Sequence, residues 1–338
     1  MLILGIDTSC DDTAAAVVED GRRIVSNIVS NQNEIHEKYG GIVPELASRQ
    51  HLELIVPVVD EALSRAGVSL QDIAAIAVTH GPGLIGSLLV GVCFAKSLAA
   101  AHDIPMVAVN HLEGHIFSIF LEHDVDYPFL ALVVSGGHTS LYRVDHFDSY
   151  REIARTRDDA AGEAYDKVAK LLQLGYPGGP LIDEMASRGN PAAIRFPRAN
   201  LKDKGSMDFS FSGLKTAVLN YSRKYPDADK NDIAAGFQAA VVDVLTERAL
   251  DAARLHKLKR IVLSGGVSAN KSLREEMQRK ATADHIDFYL PSAALCTDNA
   301  AMIAAAGYHH FKRGDKADFS LNPRAYLPLG TYDEVQSR

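Results

Sequence analysis

Apolar positions along the chain follow two rhythms, short β-type runs and longer helical repeats, and the order in which they alternate occurs twice. Leu2-Ile-Leu-Gly-Ile6, Thr13 to Val18 and Arg23 to Val29 read as three strands, separated by polar turns at Asp11-Asp12 and Asp20-Gly21. A helix is predicted from Pro44, with proline tolerated in a first turn and Glu45 favoured near the positive end. Its Leu52, Ile55, Val59 and Leu63 recur at helical spacing, and Pro57 predicts a kink. A strand (Ile73 to Val78), an apolar helix (Leu84 to Ala101) and a strand (Pro105 to Val109) follow. The second round gives strands at Phe129 to Val134 and Ser140 to Val144, then helical patterns at Gly162 to Leu174 and Asn231 to Leu255. It closes with a strand at Arg260 to Leu263, a helix at Ser268 to Lys280, a strand at Phe288 to Leu290 and a helix at Thr297 to His310.

Thr8 and Gly136 occupy equivalent turns 128 residues apart, whereas Gly81 and Gly265 open equivalent helices 184 apart. The second half has therefore gained 56 residues, placed between Asp166 and Asn231. That tract holds Tyr176-Pro-Gly-Gly-Pro180, Phe196-Pro197 and Phe209-Ser-Phe-Ser-Gly213, which read as functional loops on a scaffold. The expected organisation is a duplicated α/β chain, with one subdomain at 1–110, a second at 111–338, an insertion at about 167–230, and a cleft between glycine turns.

Composition narrows the classes. The 338 residues carry 35 Lys+Arg against 43 Asp+Glu, a net −8, and 47% are hydrophobic, so a packed core is available and disorder is excluded as the main state. An acidic chain does not coat nucleic acid broadly, so any RNA must meet a local basic patch. The best candidate is Arg188, Arg195, Arg198, Lys202 and Lys204 around Asp203, with Arg254, Lys257, Lys259 and Arg260 second. Cys10, Cys93 and Cys296 form no CxxC pair, which fits a reducing compartment. The first apolar run is too short for a signal or a span, and a cytoplasmic protein without membrane association is expected. The Leu84 to Ala101 helix suits either a dimer face or the core.

Three glycine-containing turns stand at matching places: Gly5-Ile-Asp-Thr-Ser9, Ser135-Gly-Gly-His-Thr139 and Gly265-Gly-Val-Ser-Ala-Asn270. The second can expose successive N–H groups as an anion nest, and the third precedes a helix whose positive end suits a nucleotide. Asp11, Asp12, Glu163, Asp166 and Asp183 lie near these turns, the last two flanking the Pro-Gly-Gly-Pro loop. In His111-Leu-Glu-Gly-His115 both imidazoles share one helix face and can meet one metal. A zinc-protease reading fails, because Glu113 at i+2 lies roughly 200° around the helix from His111. Asp298, at a helix start, is expected as a third ligand from the other half or as a cap. Two imidazoles and a carboxylate suit Fe²⁺ or Zn²⁺.

With these residues in view, the sequence closely resembles the tRNA adenosine-37 N6-threonylcarbamoyltransferases, the TsaD family, once taken for sialoglycoprotein endopeptidases. The resemblance runs from Leu4 to about Leu327. Besides the motifs above it rests on Gly5-Ile-Asp-Thr-Ser-Cys-Asp-Asp12, Gly41-Ile-Val-Pro-Glu-Leu-Ala-Ser-Arg49, Gly81-Pro-Gly-Leu84, Asp166-Lys-x-Ala-Lys170 and Phe209-Ser-Phe-Ser-Gly-Leu-Lys-Thr216. It implies the duplicated actin-like, ribonuclease-H-like fold, with His111, His115 and Asp298 holding one iron. It also implies Val133, Val134, Ser135, Gly136, Gly137, Asp166, Gly179, Asp183 and Asn270 as contacts to threonylcarbamoyl-AMP. Asp7 and Asp12 stand where members commonly carry Glu, the same charge on an arm shorter by one methylene.

The implied reaction is transfer of the threonylcarbamoyl group to N6 of adenosine 37 in tRNAs reading codons that begin with adenine, with release of AMP. Asp11 or Asp12 is the expected proton acceptor or tRNA-facing group. The resemblance also implies a TsaB-type paralogue, a TsaE-type ATPase and an upstream synthase of the TsaC type as partners. A small-molecule kinase of the same fold is the main rival and leaves the histidine pair unexplained; a scaffold paralogue would lack the metal triad.

Overall fold

The structure is a computed structural model that describes residues 1–198 and 206–332. Lys202, Asp203 and Lys204 of the basic segment lie outside the described residues. The chain forms two compact units, one from Met1–Val125 with Asp298–Leu329, the other from Asp126–Thr297 with the chain from Gly330 onward.

The first unit holds β1 (Leu2–Asp7), β2 (Thr13–Glu19), β3 (Arg23–Ser30), α1 (Asn33–Glu37), α2 (Pro44–Ala66), β4 (Ile73–Gly81), α3 (Ile85–His102), β5 (Met106–Asn110) and α4 (His111–Phe117). The second holds β6 (Phe129–Val134), β7 (Thr139–His146), β8 (Ser149–Arg155), α5 (Ala161–Leu171), α6 (Gly178–Ala186), α7 (Ser212–Lys224), α8 (Lys230–Leu255), β9 (Arg260–Ser264), α9 (Lys271–Ala283), β10 (Asp287–Tyr289) and α10 (Ala293–Cys296). The chain then returns to the first unit as α11 (Ala300–Arg313), and β11 (Thr331–Tyr332) joins the second.

Duplication is visible in the sheets. The first has the order β3-β2-β1-β4-β5, and the second β10-β9-β6-β7-β8-β11. In each, three antiparallel neighbours (β1–β2–β3, β6–β7–β8) are followed by two strands added in parallel on the other side. Strand for strand, β6 repeats β1 and β9 repeats β4.

In the first unit Leu4, Ile6, Ile76 and Val78 pack with Ile55 and Val59 of α2 and Val92 and Ala95 of α3. Among the described residues α3 is the one helix long and apolar enough to cross a membrane, and Val92, Ala95 and Ala99 turn one face of it into this core. The α2 helix runs through Pro57 as one element. By the period of two, Ile3, Gly5 and Asp7 face the opposite side of the sheet, where α11 lies. Helix and sheet approach closely there: a Cβ on Gly5 would stand 2.2 Å from the Ala300 carbonyl oxygen, and one on Gly307 would stand 2.3 Å from Ala77 Cβ. This docking explains why the compact units depart from a boundary at 110/111: α4 and α11 pack on each other and on the first sheet, so His111–Val125 and Asp298–Leu329 belong with it.

The insertion is a loop/helix region as expected, but two of its Pro/Gly-rich pieces read as loops are helix starts. Pro177 is the N-cap of α6, and the Gly178 N–H donates to Asp166 Oδ1 at 2.8 Å. At α7, Asp158 accepts the N–H groups of Phe211 (2.8 Å) and Ser212 (3.2 Å) and the hydroxyls of Ser210 and Ser212. Each helix start is thus satisfied by a carboxylate distant in sequence, with Phe209 and Phe211 buried beside it. The strand β8 also escaped the pattern, because its buried Glu152, which accepts from Ser140 and Tyr142, breaks the apolar alternation.

Gly5→Ala would press a methyl group against the Ala300 backbone, which cannot rotate away. The expected cost is about 1–3 kcal/mol, read as a lowered midpoint in urea unfolding. An unchanged midpoint would contradict the close docking of α11.

Candidate functional site

Three of the expected site residues come together in the first unit. Asn110, at the end of β5, caps α4 by accepting the Leu112 N–H at 2.9 Å, so that His111 and His115 begin a helix directly off the sheet. Asp298 stands one residue before Asn299, which caps α11 through the Met302 N–H at 3.0 Å. Asp298 is therefore not supplied by the other half, as its position in the second repeat implied; it shares a unit with the histidines because α11 returns to the first sheet.

Asp298 Oδ1 lies 3.1 Å from His115 Nε2 and 3.6 Å from His111 Nε2, and the imidazole centroids are 4.7 Å apart. One ligand atom from each of the three residues lies within 4.8 Å of the others. His115 is fully buried, and neither ring nitrogen has a hydrogen-bond partner. A buried imidazole whose Nε2 faces a carboxylate without hydrogen bonding to it suits a cation at that nitrogen. The donor set thus fits a metal.

His111 is oriented from behind. Its Nδ1 is 3.1 Å from Ser9 Oγ and 3.4 Å from Asp7 Oδ2, and Asp7 Oδ1 accepts the Ser9 N–H at 3.0 Å. Partners at Nδ1 place the lone pair on Nε2, the nitrogen toward Asp298. Burial opposes charge on His111, but Asp298 and Asp7 outweigh it and raise its pKa to about 9. A bound cation would displace that proton. Asp7 and Ser9 were visible only as a turn motif, although the alternation of β1 already put Asp7 on the α11 side.

Asp11 and Asp12 follow the same turn. Asp12 is pushed up to about 8 by burial and then by the charges of Asp298, Asp11 and Asp7. Asp11 is raised by burial and by Asp298. His51 of α2 steadies this loop, its ring nitrogens 3.0 Å from the Cys10 carbonyl oxygen and 2.7 Å from Thr13 Oγ1.

The other expected residues lie in the second unit. Val133 and Val134 end β6, and Ser135 N donates to the His138 carbonyl at 2.8 Å, closing the turn. Gly136 and Gly137 are exposed, and a Cβ on either would meet nothing within 4 Å. Gly179 is equally open, whereas Gly178 packs against Asp166 and Ala169. Gly265, at φ +89°, runs so near β6 that a Cβ would stand 2.4 Å from the Val134 carbonyl oxygen. Asp183 Oδ1 accepts from Asn270 Nδ2 and Gln238 Nε2, each at 2.9 Å, and Asn270 Nδ2 also reaches Gln238 Oε1 at 2.8 Å. Gln238, a polar residue inside the apolar pattern of α8, had no sequence signal beyond that interruption. In the basic segment Arg188 pairs with Glu184, and Arg198 with Asp243 at 2.8 Å.

A carboxyl group with a raised folded pKa is neutral in the native state while ionised in the unfolded chain. With the Asp12 side chain near 8 against about 4 unfolded, the metal-free protein should lose stability from pH 4 to 8 and level off above. Asp12→Asn is expected to raise the thermal midpoint at pH 8.5 and leave it unchanged at pH 4; parallel pH profiles of parent and variant would refute this.

Residues 23–305 match the family model for tRNA N6-adenosine threonylcarbamoyltransferase. The chain is 59% identical over 337 residues to the protein of that name from Thermodesulfovibrio yellowstonii, covering 97% of this chain and 100% of the relative. A namesake from Clostridium perfringens is 52% identical, covering 97% and 98%. Among solved structures, HypF in a phosphate- and nucleotide-bound form aligns at TM-score 0.62 and 16% identity, over 94% of this chain and 56% of that one. Component A of (R)-2-hydroxyglutaryl-CoA dehydratase from Acidaminococcus fermentans aligns at 0.55 and 16%, over 93% and 100%. These likenesses show the duplicated actin-like fold.

Proposed function

The chain belongs to the tRNA N6-adenosine threonylcarbamoyltransferase family and has its activity, formation of N6-threonylcarbamoyladenosine in tRNA, and from that premise we propose how its residues share the reaction. The donor is threonylcarbamoyl-AMP and the acceptor is N6 of adenosine 37 in tRNAs reading codons that begin with adenine. A bond forms between N6 and the carbamoyl carbon, the bond from that carbon to the phosphate oxygen breaks, and AMP leaves. The N6 proton passes to a carboxylate of the Asp11–Asp12 turn. Asp12 is the better candidate, its carboxyl being raised by burial and by its acidic neighbours.

The exposed backbone at Ser135, Gly136 and Gly137, following Val133 and Val134, suits the donor's phosphate and carbamate oxygens, with N–H groups donating. Gly179, open to any approaching group, suits close contact with the nucleotide, and Asp166 sets the turn beside it by holding the Gly178 N–H. Asp183, tied to Asn270 and Gln238, offers carboxylate oxygens to ribose hydroxyls.

His111, His115 and Asp298 would hold one Fe²⁺, with Zn²⁺ as the substitute that the same donors accept. When bound, the cation supplies positive charge that polarises an acyl oxygen. Asp7 and Ser9 keep the His111 ring turned for that role. The observation that carries this reading is the convergence of His111, His115 and Asp298, with the buried His115 ring nitrogens making no hydrogen bond, in a chain that a relative of the family name covers to 97%. A kinase of this fold would have no use for it.

A TsaB-type paralogue and a TsaE-type ATPase are proposed as partners. Leu52 and Val56 on α2 and Ile85 and Leu89 on α3, all exposed, support a protein partner. The setting proposed is the cytoplasm, in keeping with three free thiols.

Labelled threonine transferred to unmodified tRNA from threonylcarbamoyl-AMP tests the assignment. His115→Ala and Asp298→Ala should each lose about 100-fold or more, the several kcal/mol that a cation's charge supplies. Transfer at the parent rate by both variants would remove the metal from the mechanism.

A further inference from the structure

The residue between the two histidines is accounted for by neither the metal group nor the nucleotide contacts. Glu113 is 3% exposed, and two residues from each histidine it points to the opposite side of α4. There Glu113 Oε2 lies 2.8 Å from His310 Nε2, near the end of α11. His310 Nδ1 in turn lies 2.8 Å from Asp315 Oδ2, which also accepts from Arg313 Nε at 2.9 Å. Gly314, at φ +94°, ends α11 and turns the chain so that Asp315 comes back to His310.

We propose that Glu113 and His310 are a positioning pair that fixes the rotation of α4 against α11 and thereby the placing of His111 and His115 relative to Asp298. The inference rests on the reading of those three residues as metal ligands. A helix of seven residues has little stability of its own, so its orientation is set by what it touches. On one side it meets Asp298, just before α11; on the other it meets His310, ten residues and about 15 Å along α11 from its first residue, Ala300. Between these points Gly114 lets the helices close up, since a Cβ there would stand 2.7 Å from Ile303 Cδ1, and Phe117 packs on the His309 ring at 5.2 Å. One helix therefore grips α4 at both faces. Any turn of α4 that moved the imidazoles would pull the buried Glu113 carboxylate off the His310 ring.

The test uses Co²⁺ as the probe on the full chain freed of metal, with affinity read by chelator competition and geometry by the visible absorption of the bound ion. Glu113→Ala and His310→Ala should each weaken Co²⁺ binding by about 10-fold or more and alter the absorption band, the two effects failing to add in the double variant. Glu113→Gln, which still presents an oxygen to His310, should recover most of the affinity. Phe117→Leu loosens the same interface without touching the pair; it should lower the thermal midpoint and leave the band in place. Parent affinity and parent band in Glu113→Ala, with binding lost in His115→Ala, would overturn the positioning role alone. Parent affinity in His115→Ala as well would overturn the ligand assignment on which it stands. Should Glu113→Ala not fold, His310→Ala decides the matter: parent affinity and a parent band there overturn the proposal.

Discussion

The near-contact of α11 with the first sheet is the constraint from which the rest of the site follows. Gly5 admits the Ala300 carbonyl and Gly307 admits Ala77, so helix and strands lie closer than side chains ordinarily allow. At that separation the residues just ahead of α11 reach the end of β1, and Asp298 enters a space already bounded by Asp7, His111 and His115. Three carboxylates, at Asp7, Asp12 and Asp298, are gathered in one buried neighbourhood. Burial, and then repulsion from Asp298, Asp11 and Asp7, pushes Asp12 up, while Asp298 and Asp7 outweigh burial and raise His111. Such a gathering of carboxylates and imidazoles has the donors to hold a metal ion.

Much of this was legible beforehand. Strand positions follow from β-branched runs bounded by turns, and the recurrence at 128 and 184 residues foretold two units with the same strand connectivity. The histidine pair was readable because i and i+4 share a helix face, whatever surrounds the helix. Asp298 was readable as a partner through the family resemblance, but not as a member of the first unit, and the cap expected of it is made by its neighbour Asn299. Sequence order places it after the second repeat, and only packing returns it.

What escaped shares one physical origin. Helices α6 and α7 begin in glycine, proline and serine, composition that signals loops, and are started by Asp166 and Asp158 from 12 and 53 residues away. Gln238 and Glu152 interrupt apolar patterns because each meets a polar partner on another element. Glu113 looked like a misplaced protease glutamate until its partner on α11 was seen. Local periodicity reports backbone preference and burial; it carries no record of which buried polar group meets which.

The return of α11 also has a consequence in time. A ribosome releases β1 through α4 long before Asp298 exists, and residues 126–297 must be made in between. At about 5–20 residues per second that interval is roughly 10–35 s. Throughout it the nascent sheet shows its Gly5 face without a cover, and the two histidines stand without their carboxylate. The group of His111, His115 and Asp298 is therefore complete only late in synthesis: its third member lies just ahead of the last-made core helix, so a chain cut short before residue 298 has the two imidazoles and no carboxylate beside them.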